Sequence, residues 1–154
     1  MNPIIVVPSG SSAVLNMYNV KSLLGTEGRF VSQDDVRKAG GRKETNLTLK
    51  HTFSDGRTVT FRVVDVVNNL SSRDLRSIAV VILDGNQWEF RAPAWKKVGS
   101  NTANIFSRVK GVHFKFDNMA TKNTVKEWKC DVLRLSRMQR YKDRAVRHEF
   151  WALV

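Results

Sequence analysis

Two stretches of the chain alternate strictly along their length. Leu47, Leu49, His51 and Phe53 interleave with Thr48, Lys50 and Thr52, and Val59, Phe61 and Val63 interleave with Thr58, Thr60 and Arg62. A period of two belongs to β-strands with one buried face. Ser54-Asp55-Gly56 lies between the two runs, so a hairpin is predicted over residues 46–66. Parity fixes its register. A two-residue loop would set Phe53 opposite Thr58 and mix the faces. A three-residue loop pairs Phe53 with Arg57, His51 with Val59, Leu49 with Phe61 and Leu47 with Val63, and it places Gly56 where a left-handed residue is needed.

Other segments follow the same logic. Residues 4–7 and 13–20 are apolar, β-prone runs separated by Pro8-Ser9-Gly10-Ser11-Ser12, which predicts a second hairpin. Arg29-Phe30-Val31 reads as a short strand. Ser32 can cap a helix with Asp35 three residues on, and Gly40-Gly41 would end it. Residues 78–83 are apolar on both faces, the mark of a central buried strand. Residues 87–92 alternate with Trp88 and Phe90 inward. Asn101 can cap a short helix carrying Ile105, Phe106 and Val109, stopped by Gly111. Val112, Phe114 and Phe116 define another strand, and residues 125–135 a further one. From Arg134 the arginines recur at helical steps, while residues 146–152 alternate again. The expectation is a strand, an Arg-rich helix or loop, and a short terminal strand.

These elements sum to a mainly β fold: an antiparallel barrel or sandwich of about eight strands with one to three short helices. A strongly twisted sheet backed by helices is the alternative. At 154 residues the chain fits one domain over 1–154. Apolar residues are 42% of it, enough to bury a core. The single cysteine, Cys130, can form no internal disulfide and belongs to no metal cluster. The N-terminal apolar run has no basic flank and is too short for a signal peptide, and no run is long enough to span a bilayer. The expected setting is the cytoplasm or a nucleoprotein particle, not secretion.

Charge changes the picture most. There are 26 Lys and Arg against 14 Asp and Glu, a formal charge of +12. Residues 91–147 hold 15 of the bases and 4 of the acids, whereas residues 1–90 hold 11 and 9. A basic half of this kind is the footprint of a polyanion. Arg134, Arg137, Arg140, Arg144 and Arg147, with Lys142 among them, are the first candidates, because guanidinium groups fork onto phosphates and never lose their charge. Lys126 and Lys129 flank Trp128, and Lys96 and Lys97 follow Trp95, which in a polar loop could stack an unpaired base. Lys50 and Arg62 stand on the threonine-rich face of the hairpin and could reach a sugar-phosphate backbone.

Enzyme signatures are weak. Glu127-Trp128-Lys129 has the Glu-x-Lys form of one class of metal-dependent nucleases, with Asp65 or Asp84 as a second acid. His51, His113 and His148 are scattered, and no phosphate-binding glycine loop or zinc spacing occurs. No catalytic residue, metal or cofactor is expected. The sequence reading is a non-enzymatic protein that binds the phosphate backbone of nucleic acid, RNA before DNA, away from membranes. The alternatives are a viral or phage shell subunit with a genome-facing basic surface, and a metal-dependent nuclease. Edge strands at 4–7 and 146–154 would offer pairing between copies of the chain.

Overall fold

The computed structural model describes residues 2–10 and 12–154, Gln87 without its side chain. Six strands alternate with six short helices. The strands are β1 (Ile4–Val6), β2 (Leu47–Thr52), β3 (Thr58–Val64), β4 (Ile78–Leu83), β5 (Lys110–Phe116) and β6 (Asp131–Leu135). The helices are α1 (Val20–Leu24), α2 (Gln33–Lys38), α3 (Ser72–Arg76), α4 (Thr102–Arg108), α5 (Asn123–Glu127) and α6 (Asp143–Leu153). One sheet contains all six strands in the order β2-β3-β1-β4-β5-β6. Only β2 and β3 pair antiparallel; β1–β3, β1–β4, β4–β5 and β5–β6 are parallel.

The expectation of an antiparallel barrel or sandwich of about eight strands is therefore overturned. The reason lies in the central strands. Parallel neighbours need long crossovers, which here are helices, so both sheet faces are covered. On one face Ile5, Val80, Ile82, Phe114 and Leu135 pack against Leu23 and Leu24 of α1 and Val146, Phe150 and Trp151 of α6. On the other, Ile4, Val6, Ile78 and Val81 pack against Leu75, Trp95, Val98 and Ile105.

The β2–β3 hairpin forms in the register that parity predicts, Leu47 with Val63 through His51 with Val59. The Phe53 N–H donates to the Arg57 carbonyl at 2.8 Å, and Gly56 has φ +88°. The Ser32 hydroxyl accepts from the Asp35 N–H and caps α2. Asn101 caps α4, although that helix closes at Arg108, before Gly111.

Several strand expectations fail. Residues 13–19 form no strand and lead into α1, and 29–31 lie in a loop. Gln87–Phe90 is a turn of 3-10 helix. It forms because the half-buried Glu89 carboxylate gathers the N–H groups of Asp84, Gly85 and Asn86. The expected strand 125–135 divides into α5 and β6. The C-terminal segment is α6, whose Val146, Phe150 and Trp151 share the buried side. Consequently residues 4–7 and 146–154 are not sheet edges; β1 lies inside the sheet, and the open edges are β2 and β6.

Candidate functional site

The basic candidates of the C-terminal part do not share one helix face. Arg134 is on β6, Arg137 in the loop after it, Arg140 and Lys142 in a 3-10 turn, and Arg144 and Arg147 on α6. Two of the six are internal ties. Asp143 opens α6 at 2% exposed, and its carboxylate accepts the Phe30 N–H at 2.9 Å and the Arg140 guanidinium at 3.1 Å. Arg140 also donates to the Phe30 carbonyl and lies against that ring. Arg147 Nε donates to the Gly25 carbonyl at 2.6 Å. Together they hold the loop between Gly25 and Val31 on α6. Gly28 makes the approach feasible: it has φ +61°, and a Cβ there would stand 3.0 Å from Arg147 Cδ.

The other four, Arg134, Arg137, Lys142 and Arg144, are exposed and have no carboxylate partner among the described residues. Arg137 lies flat over Phe116, 3.8 Å from its centroid. Between these cations Met138 is 93% exposed and Tyr141 76% exposed. Met138 and Tyr141 stand in water within one short segment with Arg137, Lys142 and Arg144, an apolar and cationic mixture; Arg134 alternates with Leu133 and Leu135, which face α6, and so stands on the other side of the sheet. By its spacing Met138 belongs with Val146 and Phe150 on the apolar side of an Arg-rich helix, but α6 begins only at Asp143, so Met138 and Tyr141 lie outside it and stay exposed.

The remaining candidates are dispersed. Trp95 is 4% exposed in the second core, edge-on to Phe90, so it has no free face for a base; the expectation of a surface platform is corrected, because Pro93 starts a 3-10 turn that folds the indole inward. Lys96 and Lys97 remain exposed next to it. Trp88, expected inward, is 63% exposed. Lys126 is on α5 and Lys129 follows it, both exposed. Lys50 is exposed on the open face of β2, and Arg62 pairs with Asp74 at 3.3 Å.

The acids of the nuclease alternative do not converge. Asp65 pairs with Lys43, Asp84 with Lys122 at 3.5 Å, and no cluster of three or more His, Cys, Asp or Glu able to hold a metal occurs among the described residues. His113 is buried with Nδ1 2.8 Å from the Leu83 carbonyl. Burial holds its basicity below the ordinary value, while that hydrogen bond and Asp84 act the other way. Burial pushes the half-buried Cys130 thiol up to about 11, so it is no nucleophile at neutral pH.

The crest above β1 and β4, where open parallel sheets hold ligands, has a cavity of about 200 Å³ bounded by Pro8, Gly10, Asp65, Asp84 and Trp88. The segment after β1 lacks the glycine–lysine loop that cradles phosphates, and α1 begins only at Val20.

The strand order, with one antiparallel pair at the β2 edge, defines a Ras-like α/β fold. A solved structure titled "The conserved domain of yeast Cdc73" superposes with a TM-score of 0.85 at 24% identity, covering 98% of this chain and 92% of that one. Residues 1–154 match the family described as RNA pol II accessory factor, Cdc73 family, C-terminal. The chain belongs to this family. Cell division cycle protein 73 of Caenorhabditis elegans is 28% identical over 153 residues, which are 99% of this chain and 29% of that protein. Protein CDC73 homolog of Arabidopsis thaliana is 28% identical, with 97% and 36% covered. Cell division control protein 73 of Saccharomyces cerevisiae is 26% identical, with 97% and 37% covered. The chain thus spans about a third of the length of the curated relatives it matches.

Family membership overturns the functional expectation. Membership of a family of RNA polymerase II accessory factors replaces the readings of phosphate-backbone binder, shell subunit and nuclease. The misreading has a physical origin: net positive charge reports attraction to anions of any kind, and it does not distinguish a phosphodiester backbone from an acidic protein.

Proposed function

We propose that residues 1–154 act as one non-catalytic docking module of an RNA polymerase II accessory factor, and that the segment carrying Arg137, Lys142 and Arg144 receives an acidic segment of a protein partner in the transcription machinery. The observation that carries this reading is the exposure of Met138 and Tyr141 among those unpaired cations. Aromatic, Met and Arg side chains are the types enriched at protein interfaces, where an apolar centre is ringed by charge. Family membership supplies the polymerase setting. The internal ties of Arg140 and Arg147 keep the face rigid, so its side chains lose little freedom on binding.

Photo-crosslinkers at positions 138 and 141 test the proposal in RNA polymerase II transcription assemblies. Crosslinks to acidic segments of protein subunits are expected. They should fade in about 0.5 M salt, where the screening length is only a few ångströms, and in the variant with Arg137, Lys142 and Arg144 all changed to Ser. Crosslinks to nucleic acid, or crosslinks indifferent to both salt and the charge change, overturn it.

A further inference from the structure

The β2–β3 ladder leaves a complete row of backbone groups unused. Because the Phe53 N–H bonds to Arg57, the alternation of an antiparallel pair turns Leu47, Leu49 and His51 inward toward β3. The N–H and C=O groups of Thr48, Lys50 and Thr52 then point away from the sheet, and no hydrogen bond to them occurs among the described residues. β2 is six residues long, about 20 Å. It contains no proline, and its pairing with β3 shows no register shift, so the devices that usually blunt an open edge are absent apart from Lys50.

The space beside this edge is already hollow. A cavity of about 430 Å³ lies between Thr48 and Lys50 and the α1 region, with Tyr18 and Lys21 on its far wall. A second of about 540 Å³ continues beside His51 and Phe53, walled by Trp151 and Arg147 of α6. The two run the length of the strand. The two sheet faces here differ in chemistry. Toward the helices stand Leu49, the stacked His51–Trp151 pair and Phe53, while the opposite face shows Thr48, Lys50, Thr52 and, on β3, Thr58 and Thr60. Lys21, Lys50 and Arg147 outnumber the two carboxylates on the lining, Glu27 and Glu44.

We propose that the free edge of β2 is a strand-addition site for an extended segment of a partner protein in which acidic and apolar residues alternate. Main-chain hydrogen bonds to Thr48, Lys50 and Thr52 supply the register, apolar side chains enter the cavities beside Tyr18 and Trp151, and an acidic side chain meets Lys50. A second copy of the chain is disfavoured as occupant, because two bodies of charge +12 repel. The site does not depend on the Met138–Tyr141 face, so either can fail alone.

The probe is an acetylated, amidated octapeptide of alternating glutamate and valine, titrated into isotopically labelled chain. Saturable shifts of amides in residues 47–53, with slowed exchange of the Thr48, Lys50 and Thr52 amides, are expected. N-methylating one of the two alternate sets of peptide amides should weaken binding by about tenfold or more, each lost bond contributing about 1 kcal/mol, and methylating the other set should be tolerated. Lys50→Pro removes an outward N–H without touching the ladder and should also weaken binding; the methylated peptides decide the matter if that variant fails to fold. Removing Arg137, Lys142 and Arg144 beside Met138 and Tyr141 should leave the shifts in place. Equal binding of both methylated peptides, shifts confined to residues 134–147, pairing of β2 with a second copy in the absence of peptide, or displacement of the peptide by RNA would each overturn the proposal.

Discussion

The imidazole of His51 lies flat on the indole of Trp151, with centroids 4.2 Å apart and planes 4° apart. This stack joins the edge strand to the last helix, and the surroundings of the ring disfavour its charged form. Burial first, then the nearby charges of Arg147 and His148, hold His51 below its ordinary 6.5.

That shift has a sign. A histidine whose folded value is depressed contributes stability that is complete above 6.5 and is lost as pH falls through the folded value, because the unfolded chain binds the proton more readily. Buried His113, shifted the same way, adds to the effect. The urea midpoint should therefore fall on going from neutral to mildly acidic buffer. His51→Phe, which keeps an aromatic face for Trp151, should shallow that fall. A midpoint equally pH-dependent in wild type and variant would show that His51 does not contribute.

Arg140 and Asp143 form a tie whose loss should be severe. Asp143 is 2% exposed, and its Oδ1 has no hydrogen-bond partner among the described residues. Arg140→Ala leaves a buried carboxylate with the Phe30 N–H as its main support. A loss of about 2–3 kcal/mol is expected by chemical denaturation. Changing both residues to Leu should cost less than Arg140→Ala alone, since no orphaned charge remains.

Gly28 and Gly40 both have positive φ, +61° and +83°, but differ in surroundings. A Cβ at 28 meets Arg147 and Arg144 within 3.2 Å, and one at 40 meets nothing within 4 Å. Gly40→Ala should cost only the left-handed backbone penalty, about 1–2 kcal/mol. Gly28→Ala should cost more and shift the amide resonances of residues 25–31, as the loop leaves α6.

The two tryptophans near residue 90 should behave in opposite ways. Trp95→Ala empties part of the second core and should destabilise by about 3–5 kcal/mol. Trp88→Ala, at a side chain 63% exposed, should change the melting temperature little.

The hairpin was legible because both strands have one wet face, and parity at Phe53 and Gly56 leaves a single workable loop. The caps at Ser32 and Asn101 were legible because a side chain bonding its own backbone is a local event. The sheet was not. Ile4–Val6 and Ile78–Leu83 show apolar character on both faces, which is the parallel-sheet signal, but nothing local states which strand lies beside which. Trp88 and Phe90 alternate as a strand would, but the Glu89 carboxylate gathers the Asp84–Asn86 amides three to five residues away and winds the pair into a 3-10 turn, a local signal that the alternation outweighed. At the candidate face the cations were visible as a count. Their division into internal ties, Arg140 and Arg147, and free groups depends on Phe30 and Gly25, more than a hundred residues earlier.

That same separation governs how the chain reaches its folded form. The Phe30 amide bonds to a carboxylate 113 residues later, and Trp151 Nε1 donates to the Leu24 carbonyl across 127 residues. β1 sits between β3 and β4, neither of which exists until much of the polypeptide has been made. During synthesis the first strand and α1 must wait, apolar and uncovered, until α6 emerges to close over them. Such dominance of distant contacts makes for slow folding and a long window of exposure to misassembly. The arginines that dock α6 onto the early loop thus act as the final latch of a fold whose first helix is covered last.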